Sequence, residues 1–187
     1  MDPRNEEALA AARQQVYGLF DKLGIPYRIF EHVPIFSAAD RIAQGVEVEG
    51  VICKNLFLRN KDKTRYYLYT LPIDKRADLI ALQHLLGDTR LSFGGPEALW
   101  ERLHITPGSV SLLNIIGERI AAEEGGFVSP PAIKFLIDAD TLSAVPGIGL
   151  HPNDNAATIV FKADQIPVLL ERFGADFEFV EMPGAGI

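Results

Sequence analysis

The sequence predicts an α+β domain built on a mostly antiparallel or mixed β-sheet. Three observations lead to this class: an amphipathic helical pattern at the start of the chain, an apolar hairpin near residues 51–72, and short apolar runs after residue 105 followed by one late helix. No internal repeat, low-complexity tract or linker divides these segments, and 187 residues can bury a substantial core. We therefore expect one domain over residues 1–187.

Apolar spacing and helix-ending residues predict the first elements. The segment "EEALAAARQQVYGLFDKLG" has the spacing of an amphipathic helix, which Gly24 and Pro26 end. Its apolar positions are Leu9, Val16, Leu19, Phe20 and Leu23. "PYRIFEH" predicts a short strand, and Ser37 followed by Asp40 resembles a capping box that opens a helix through about Gln44.

The remaining elements follow from apolar runs and from Pro, Gly and Asp positions. "VICKNLFLRN" and "TRYYLYTLP" flank the polar tip "KDK" and predict a β-hairpin. Asp74 is predicted to cap the helix "KRADLIALQHLLG", and Pro96 to stand near the start of the helix "PEALWERLH". "TPGSVSLLNII", "AIKFLIDADTL" and "ATIVFKA" predict strands. "DQIPVLLERFG" predicts the last helix with Pro167 in its first turn, and "DFEFVEM" an edge strand.

The charge of the chain is unevenly distributed. The net charge of −7 weighs against a protein that coats nucleic acid with a broad basic surface. Residues 54–76 nevertheless hold seven basic and two acidic residues, so this window carries +5 and the rest −12. The window predicts either a small patch that faces phosphate or a solvated hairpin tip.

Composition also excludes several classes of protein. No apolar run approaches the roughly 20 residues that span a bilayer, and the N-terminus is too polar for a signal peptide, so we expect a soluble, cytoplasmic protein. A single cysteine, Cys53, excludes an internal disulfide and a cysteine zinc cage, and the four histidines lack His-Glu-x-x-His spacing. We assign no metal and no cofactor.

Few residues carry a chemical signal of their own. The sequence has no Gly-x-Ser-x-Gly elbow and no phosphate-binding glycine loop. Cys53 lies in an apolar run, which favours a buried thiol over a nucleophile. Lys54 interrupts the same run, and it is either a solvated lysine on the outer face of the strand or a lysine that binds an anion.

Two polar loops offer further candidates. Pro107 and Gly108 mark a tight turn whose N–H groups can bind an oxyanion or a carbonyl, although most such turns bind nothing. His151 precedes Pro152 in "HPNDN", a run that favours a turn, so it is either a structural loop residue or a functional one. His84 and His104 fall in helical patterns and are expected to be ordinary surface or boundary residues.

Four motifs together resemble a known family. In this order, "VICKNLFLRNKD", "RLSFGGPEALWERLHITPGSVS", "FLIDAD" and "HPNDNAAT" are similar to the free-standing aminoacyl-tRNA editing domains known as YbaK or ProX-like, over about residues 27–173. The match looks closest to the subgroup called PrdX or ProXp-ala, which is similar to the editing insertion of bacterial prolyl-tRNA synthetase. The resemblance implies that editing-domain fold: a barrel-like sheet surrounded by helices.

The resemblance also implies an activity and a site. It implies hydrolysis, by substrate-assisted attack of water, of the ester that joins a wrong amino acid to the terminal adenosine of tRNA(Pro). Lys54 and His151 match the catalytic positions: the lysine would hold the terminal phosphate or ribose, and the histidine would orient substrate or water. The residues that match substrate-binding positions are Asn55, Gly108, Ser109, Val110, Asn153 and Thr158. The implied partner is the acceptor end of tRNA(Pro), prolyl-tRNA synthetase is a candidate second partner, and a monomer is the default.

One departure from the family pattern concerns the aminoacyl group. Members often carry Pro and a glycine-containing segment after the second serine of "TPGSVS", whereas Leu112, Leu113 and Asn114 follow Ser111 here. That loop faces the aminoacyl group in the family. Alanyl-tRNA(Pro) is therefore the leading substrate, and cysteinyl-tRNA(Pro) or another small aminoacyl-tRNA is the alternative. A module that binds the acceptor end without hydrolysis also stays open, as does a thiol hydrolase that uses Cys53.

Overall fold

An eight-stranded mixed β-sheet with helices packed against it forms the fold. The computed structural model describes residues 6–35, 37–103, 105, 107–116 and 133–182. The strands of this part of the chain are β1 Tyr27–Glu31, β2 Val51–Arg59, β3 Tyr66–Pro72, β4 Ser92–Phe93, β5 Ile133–Asp138, β6 Ile148–Leu150, β7 Ala157–Phe161 and β8 Phe177–Val180. The helices are α1 Glu6–Leu23, α2 Ala38–Ala43, α3 Leu79–Leu86, α4 Pro96–Leu103 and α5 Ile166–Arg172, and 3₁₀ turns cover Ala139–Ser143 and Ala163–Gln165.

Strand β2 organises the sheet because it pairs with three other strands. The order is β1-β7-β6-β2-β3-β5-β8, with β4 on β2. One side of β2 pairs with β3 from Cys53 to Arg59. The other side pairs with β6 only at Val51 and Ile52, and with β4 only at Leu58 and Arg59. Within the described residues, 53–56 therefore form a free strand edge on this second side, between β6 and β4.

Both faces of strand β3 are covered, which explains why its sequence does not alternate between apolar and polar residues. Tyr66 and Leu68 pack into one apolar cluster with α1, α4 and α5, whereas Tyr67 and Tyr69 pack into a second cluster with α3. Successive side chains of a strand point to opposite faces, so a strand covered on both faces reads as a continuous apolar run. The predicted hairpin is confirmed, and its second strand is a central strand of the sheet.

The N-cap of α3 differs from the prediction. Asp74 is exposed in the turn after β3. The cap is Asp78, whose Oδ1 accepts hydrogen bonds from the N–H groups of Ile80 at 3.0 Å and Ala81 at 2.9 Å. The prediction was wrong because both aspartates precede the same apolar pattern, and only the one directly before the first helical residue has helical N–H groups within reach.

The segment "TPGSVSLLNII" is not the predicted strand. Among its described residues, 107–116, turns lead into a helical turn at residues 114–116. Gly108 has a φ of 93°, which a strand does not accommodate. The side chain of Asn114 accepts a hydrogen bond from the N–H of Ser111 at 2.5 Å. This local bond satisfies a backbone group that a strand would have paired with a neighbour.

The other predicted elements are found near their expected positions. Ser37 Oγ caps α2 by accepting from the N–H of Asp40, Pro167 stands in the first turn of α5, and β8 lies at one end of the sheet. Strands β4 and β6 were not predicted because they are only two and three residues long. His84 is exposed as expected, and His104 lies outside the described residues.

No helix in the described part of the chain combines the length and the apolar character needed to cross a membrane.

Candidate active site

A cavity of about 200 Å³ opens where the free edge of β2 faces two loops. It is lined by Ile35, Ser37, Arg41, Ile52, Cys53, Lys54, Asn55, Ile73, Gly108, Val110 and His151. Five of the eight predicted site residues are thus brought together from three distant segments. The short parallel pairing of β2 with β6 is the cause, because it sets His151, the residue after β6, beside the first half of β2.

Lys54 is a half-buried cation on the wall of this cavity. Its Nζ donates a hydrogen bond to the carbonyl oxygen of Ile73 at 2.9 Å, which leaves two of its three N–H groups for a ligand. No carboxylate of the described residues forms an ion pair with it. Lys54 lines the cavity beside the gap that β6 and β4 leave along β2, where a ligand can reach its ammonium group.

His151 is held as a neutral imidazole. Its Nδ1 lies 3.0 Å from the carbonyl oxygen of Ala157 and must donate to it, so Nε2 keeps its lone pair as an acceptor. Burial lowers the pKa of His151 below its ordinary value, and the nearby charges of His32 and Arg41 act in the same direction. At neutral pH the ring can therefore orient water or a substrate hydroxyl by accepting its proton in a hydrogen bond.

Asn55 ties β2 to the loop that contains Gly108. Its Oδ1 accepts hydrogen bonds from the Thr70 hydroxyl at 2.7 Å and from the N–H of Leu112 at 3.2 Å. The same loop is fixed from its other side, because Asn114 Nδ2 donates to Asn153 Oδ1 at 3.0 Å. These bonds set the turn of Gly108 and Val110 against the cavity.

The other three predicted site residues lie outside the cavity lining and are buried. Ser109 stands between the two lining residues of its turn. Asn153 has a φ of 61°, in the left-handed region, and accepts the bond from Asn114. The Thr158 hydroxyl contacts His32 Nε2 at 2.9 Å, and the His32 ring lies 6.2 Å from that of His151. Asn153 and Thr158 therefore support neighbouring residues of the site.

Cys53 lines the cavity as a protonated thiol. Burial, together with the negative charge of Asp138, raises the pKa of Cys53 to about 12. Its Sγ donates to the carbonyl oxygen of Val51 at 3.6 Å. A thiol in this state is not a nucleophile at neutral pH, which weighs against the thiol hydrolase.

The three residues that depart from the family pattern do not line the cavity. Leu112 and Leu113 are both completely buried in the large apolar cluster, and neither lines the cavity. Asn114 is buried too, and it bonds to the backbone and to Asn153. The residues that depart from the family pattern therefore anchor the loop to the core.

Two residues of the site were missed in the sequence. Arg41 of α2 lines the cavity, and no local pattern distinguishes it from an ordinary helix-surface arginine. Asn114 was visible as part of the departure, but its bonds to two loops depend on tertiary contacts.

The positive charge of the basic window, residues 54–76, is partly neutralised. Lys75 forms ion pairs with Asp138 at 2.8 Å and with Asp140 at 2.6 Å.

The fold and this cavity define an α+β domain that can bind an anionic substrate and direct water or a substrate hydroxyl without an ionised protein nucleophile. The family model described as aminoacyl-tRNA editing domain matches residues 32–167, and the chain belongs to this family. It is therefore an aminoacyl-tRNA deacylase by class. The resemblance drawn from the four motifs is confirmed.

Individual relatives cover nearly the whole chain. The prolyl-tRNA editing protein ProX of Acetoanaerobium sticklandii is 30% identical over 171 residues, which are 91% of this chain and 98% of that protein. The mouse prolyl-tRNA synthetase associated domain-containing protein 1 is 26% identical over 157 residues, 82% and 86% of the two chains. The solved structure of the hypothetical protein APE2540 shares the fold with a TM-score of 0.59 at 20% identity, covering 87% of this chain and 96% of that one.

Proposed function

We propose that the protein removes alanine from mischarged alanyl-tRNA(Pro) in trans. The observation that carries this proposal is the cavity itself, which combines a lysine that forms no ion pair with a carboxylate of the described residues, a neutral imidazole acceptor and a thiol that stays protonated. An aminoacyl ester is already activated, so positioning of water and stabilisation of the oxyanion suffice for its hydrolysis.

We propose a role for each group of the cavity. Lys54 Nζ binds the phosphate or ribose of the terminal adenosine, and the N–H groups of the turn at Gly108 and Val110 face the ester carbonyl oxygen. His151 Nε2 accepts a hydrogen bond from the attacking water or from the free ribose hydroxyl. The water oxygen bonds to the carbonyl carbon, the carbon–oxygen bond to the ribose breaks, and the ribose oxygen takes up a proton. Free alanine and intact tRNA leave.

Alanine is favoured over proline by size. A synthetase pocket that fits proline cannot strongly reject alanine, since each missing methylene changes binding by only about 1–3 kcal/mol. A small second cavity reverses this selection by admitting alanine and excluding proline. The completely buried positions of Leu112 and Leu113 support this substrate, because the departure from the family pattern does not line the cavity.

We extend the proposal to the surroundings of the reaction. Residues 1–187 act as one editing domain and as a monomer in the cytoplasm. The acceptor end of tRNA(Pro) is the part recognised, and prolyl-tRNA synthetase, which makes the mischarged product, is the partner that supplies it.

The test is deacylation of a panel of alanyl-, cysteinyl-, seryl- and prolyl-tRNA(Pro). We expect rapid loss of alanine only, a marked fall of kcat/KM in Lys54→Ala, and no such fall in Lys61→Ala, which removes the same charge at the hairpin tip. Loss of cysteine or serine in preference to alanine would move the substrate to the alternative. Stability of all four esters with retained binding of an uncleavable aminoacyl-adenosine would instead establish a binding module.

A further inference from the structure

A second groove lies directly beside the active-site cavity. It has a volume of about 560 Å³ and shares Arg41 and Ile52 with the cavity lining. A substrate that leaves the cavity in this direction must pass the Arg41 side chain. The groove is large enough for a nucleoside, since small-ligand pockets measure roughly 300–1,000 Å³.

Arg41 places a positive charge at the boundary between the cavity and the groove. It is half-buried on α2, and burial lowers its pKa. Within the part of the chain that the structure describes, no carboxylate forms an ion pair with it, and the neighbouring Glu49 is paired with Arg28 instead. A guanidinium in this position favours a bound anion, and its fork of N–H groups matches the oxygens of a phosphate.

The rest of the groove suits a base and not a row of phosphates. Phe30, Val46, Val48 and Ile52 give it an apolar and partly aromatic lining. The carboxylates of Glu47 and Glu49 also line it, and Glu49 is paired with Arg28. Glu47 repels further phosphates but can accept a hydrogen bond from an exocyclic amino group such as that of cytosine. One phosphate at Arg41 and one base beyond it satisfy this distribution of charge.

We propose that this groove binds the penultimate nucleotide of the substrate, with Arg41 on the phosphodiester that joins it to the terminal adenosine. The inference rests on the proposed function, because it extends the path of an aminoacylated CCA end that starts in the cavity. Lys54 approaches the same phosphodiester from the cavity side. The enzyme thus reads two nucleotides, and α2 supplies the contact between them.

Three esters of increasing length test the subsite in the wild-type protein. They are alanyl-adenosine, alanyl-adenosine 5′-monophosphate and the alanyl ester of the dinucleotide CpA. We expect kcat/KM to rise roughly tenfold when the phosphate is added and again by roughly fivefold or more when the cytidine is added, in line with the worth of one phosphate contact and one stacked base. Equal values for the monophosphate and the dinucleotide ester would overturn the base site.

Arg41→Gln tests the phosphate contact, and Arg90→Gln is its matched control because Arg90 is an exposed arginine next to β4, at the far end of β2. We expect Arg41→Gln to lower kcat/KM for the dinucleotide ester about tenfold more than for alanyl-adenosine, and Arg90→Gln to lower both equally or not at all. Equal losses on all three esters in Arg41→Gln, at an unchanged melting temperature, would overturn the proposal. Failure of the wild type to hydrolyse any alanyl ester, alanyl-tRNA(Pro) included, would overturn the proposed function itself.

Discussion

The burial of His151 couples its protonation to the stability of the fold. The native pKa is lowered from 6.5, so in the window below pH 6.5 the unfolded chain binds more protons than the folded one. The free energy of unfolding therefore rises with pH through this window, and the contribution is lost as the pH falls. We expect the stability difference between wild type and His151→Gln to shrink from pH 7.5 to pH 5 in urea titrations. A difference that stays constant would show that the pKa of His151 is the same in the folded and unfolded states, as for a solvent-accessible ring.

The state of Cys53 is open to direct measurement. With a pKa of about 12, about one thiol in 10⁴ is ionised at pH 8, against about one in ten for an ordinary cysteine. We expect iodoacetamide to alkylate the folded protein on the order of 1,000-fold more slowly than the same protein in urea. Rapid alkylation of the folded protein, with loss of deacylation, would return the thiol to the list of nucleophiles.

At the scale of elements, the two aspartates before α3 differ because only one of them caps the helix. Asp78 accepts two hydrogen bonds from the first turn of the helix, whereas Asp74 is exposed. We expect Asp78→Ala to lower the free energy of unfolding by about 0.5–2 kcal/mol, and Asp74→Ala to change it by less than about 0.5 kcal/mol. Urea denaturation of both variants checks this, and equal effects would contradict the assignment of the cap.

The loop of residues 107–116 depends on Asn114. Its side chain bonds to the N–H of Ser111 and to Asn153, so it joins the two loops that face the cavity. We expect Asn114→Ala to lower kcat for alanyl-tRNA(Pro) at least tenfold while KM changes little, because the turn at Gly108 loses its orientation toward the reacting carbonyl. A loss confined to stability, with kcat intact at low temperature, would reduce Asn114 to a structural residue.

Local sequence predicted those elements whose signal lies within the element. Ser37 predicts the start of α2, and Pro167 predicts the first turn of α5, because a capping residue or a proline affects the backbone only over three or four residues. The strand predicted after Pro107 was wrong because Leu112 and Leu113 are buried from a turn. The side chain of Asn114 stabilises this turn. A strand pattern and a buried loop look alike when both are apolar.

The site could be predicted only in part for a related reason. Lys54 and His151 were identified through family motifs, while their meeting depends on two parallel residue pairs between β2 and β6. A strand as short as Ile148–Leu150 has no readable period, so this pairing is set by packing of the whole sheet. The position of Arg41 likewise depends on tertiary structure, because α2 and β2 line the same cavity.

Across the whole molecule, the length of β2 separates the lysines of the hairpin tip from Lys54. Lys61 and Lys63 at the hairpin tip lie about 20 Å from Lys54, since a strand rises about 3.3 Å per residue. This exceeds the Debye length of about 8 Å at 0.15 M salt but not that of about 30 Å at 0.01 M. We expect the double variant Lys61→Ser, Lys63→Ser to hydrolyse the alanyl CpA ester within about twofold of wild type at 0.15 M salt, and about two- to threefold more slowly at 0.01 M. An equal loss at both salt concentrations would place the tip in contact with the substrate.

Lys54 and His151 lie far apart in the sequence, so the ribosome adds them at different times. Lys54 and His151 are separated by about 100 residues, and ribosomes add about 5–20 residues per second. A growing chain therefore carries its lysine for about 5–20 s before the imidazole has even been made. During that interval the cation of β2 can meet phosphate but has no partner with which to act on an ester. On the proposed mechanism, each new molecule gains its hydrolytic ability late in its own synthesis, so a chain arrested midway would be inert toward mischarged tRNA.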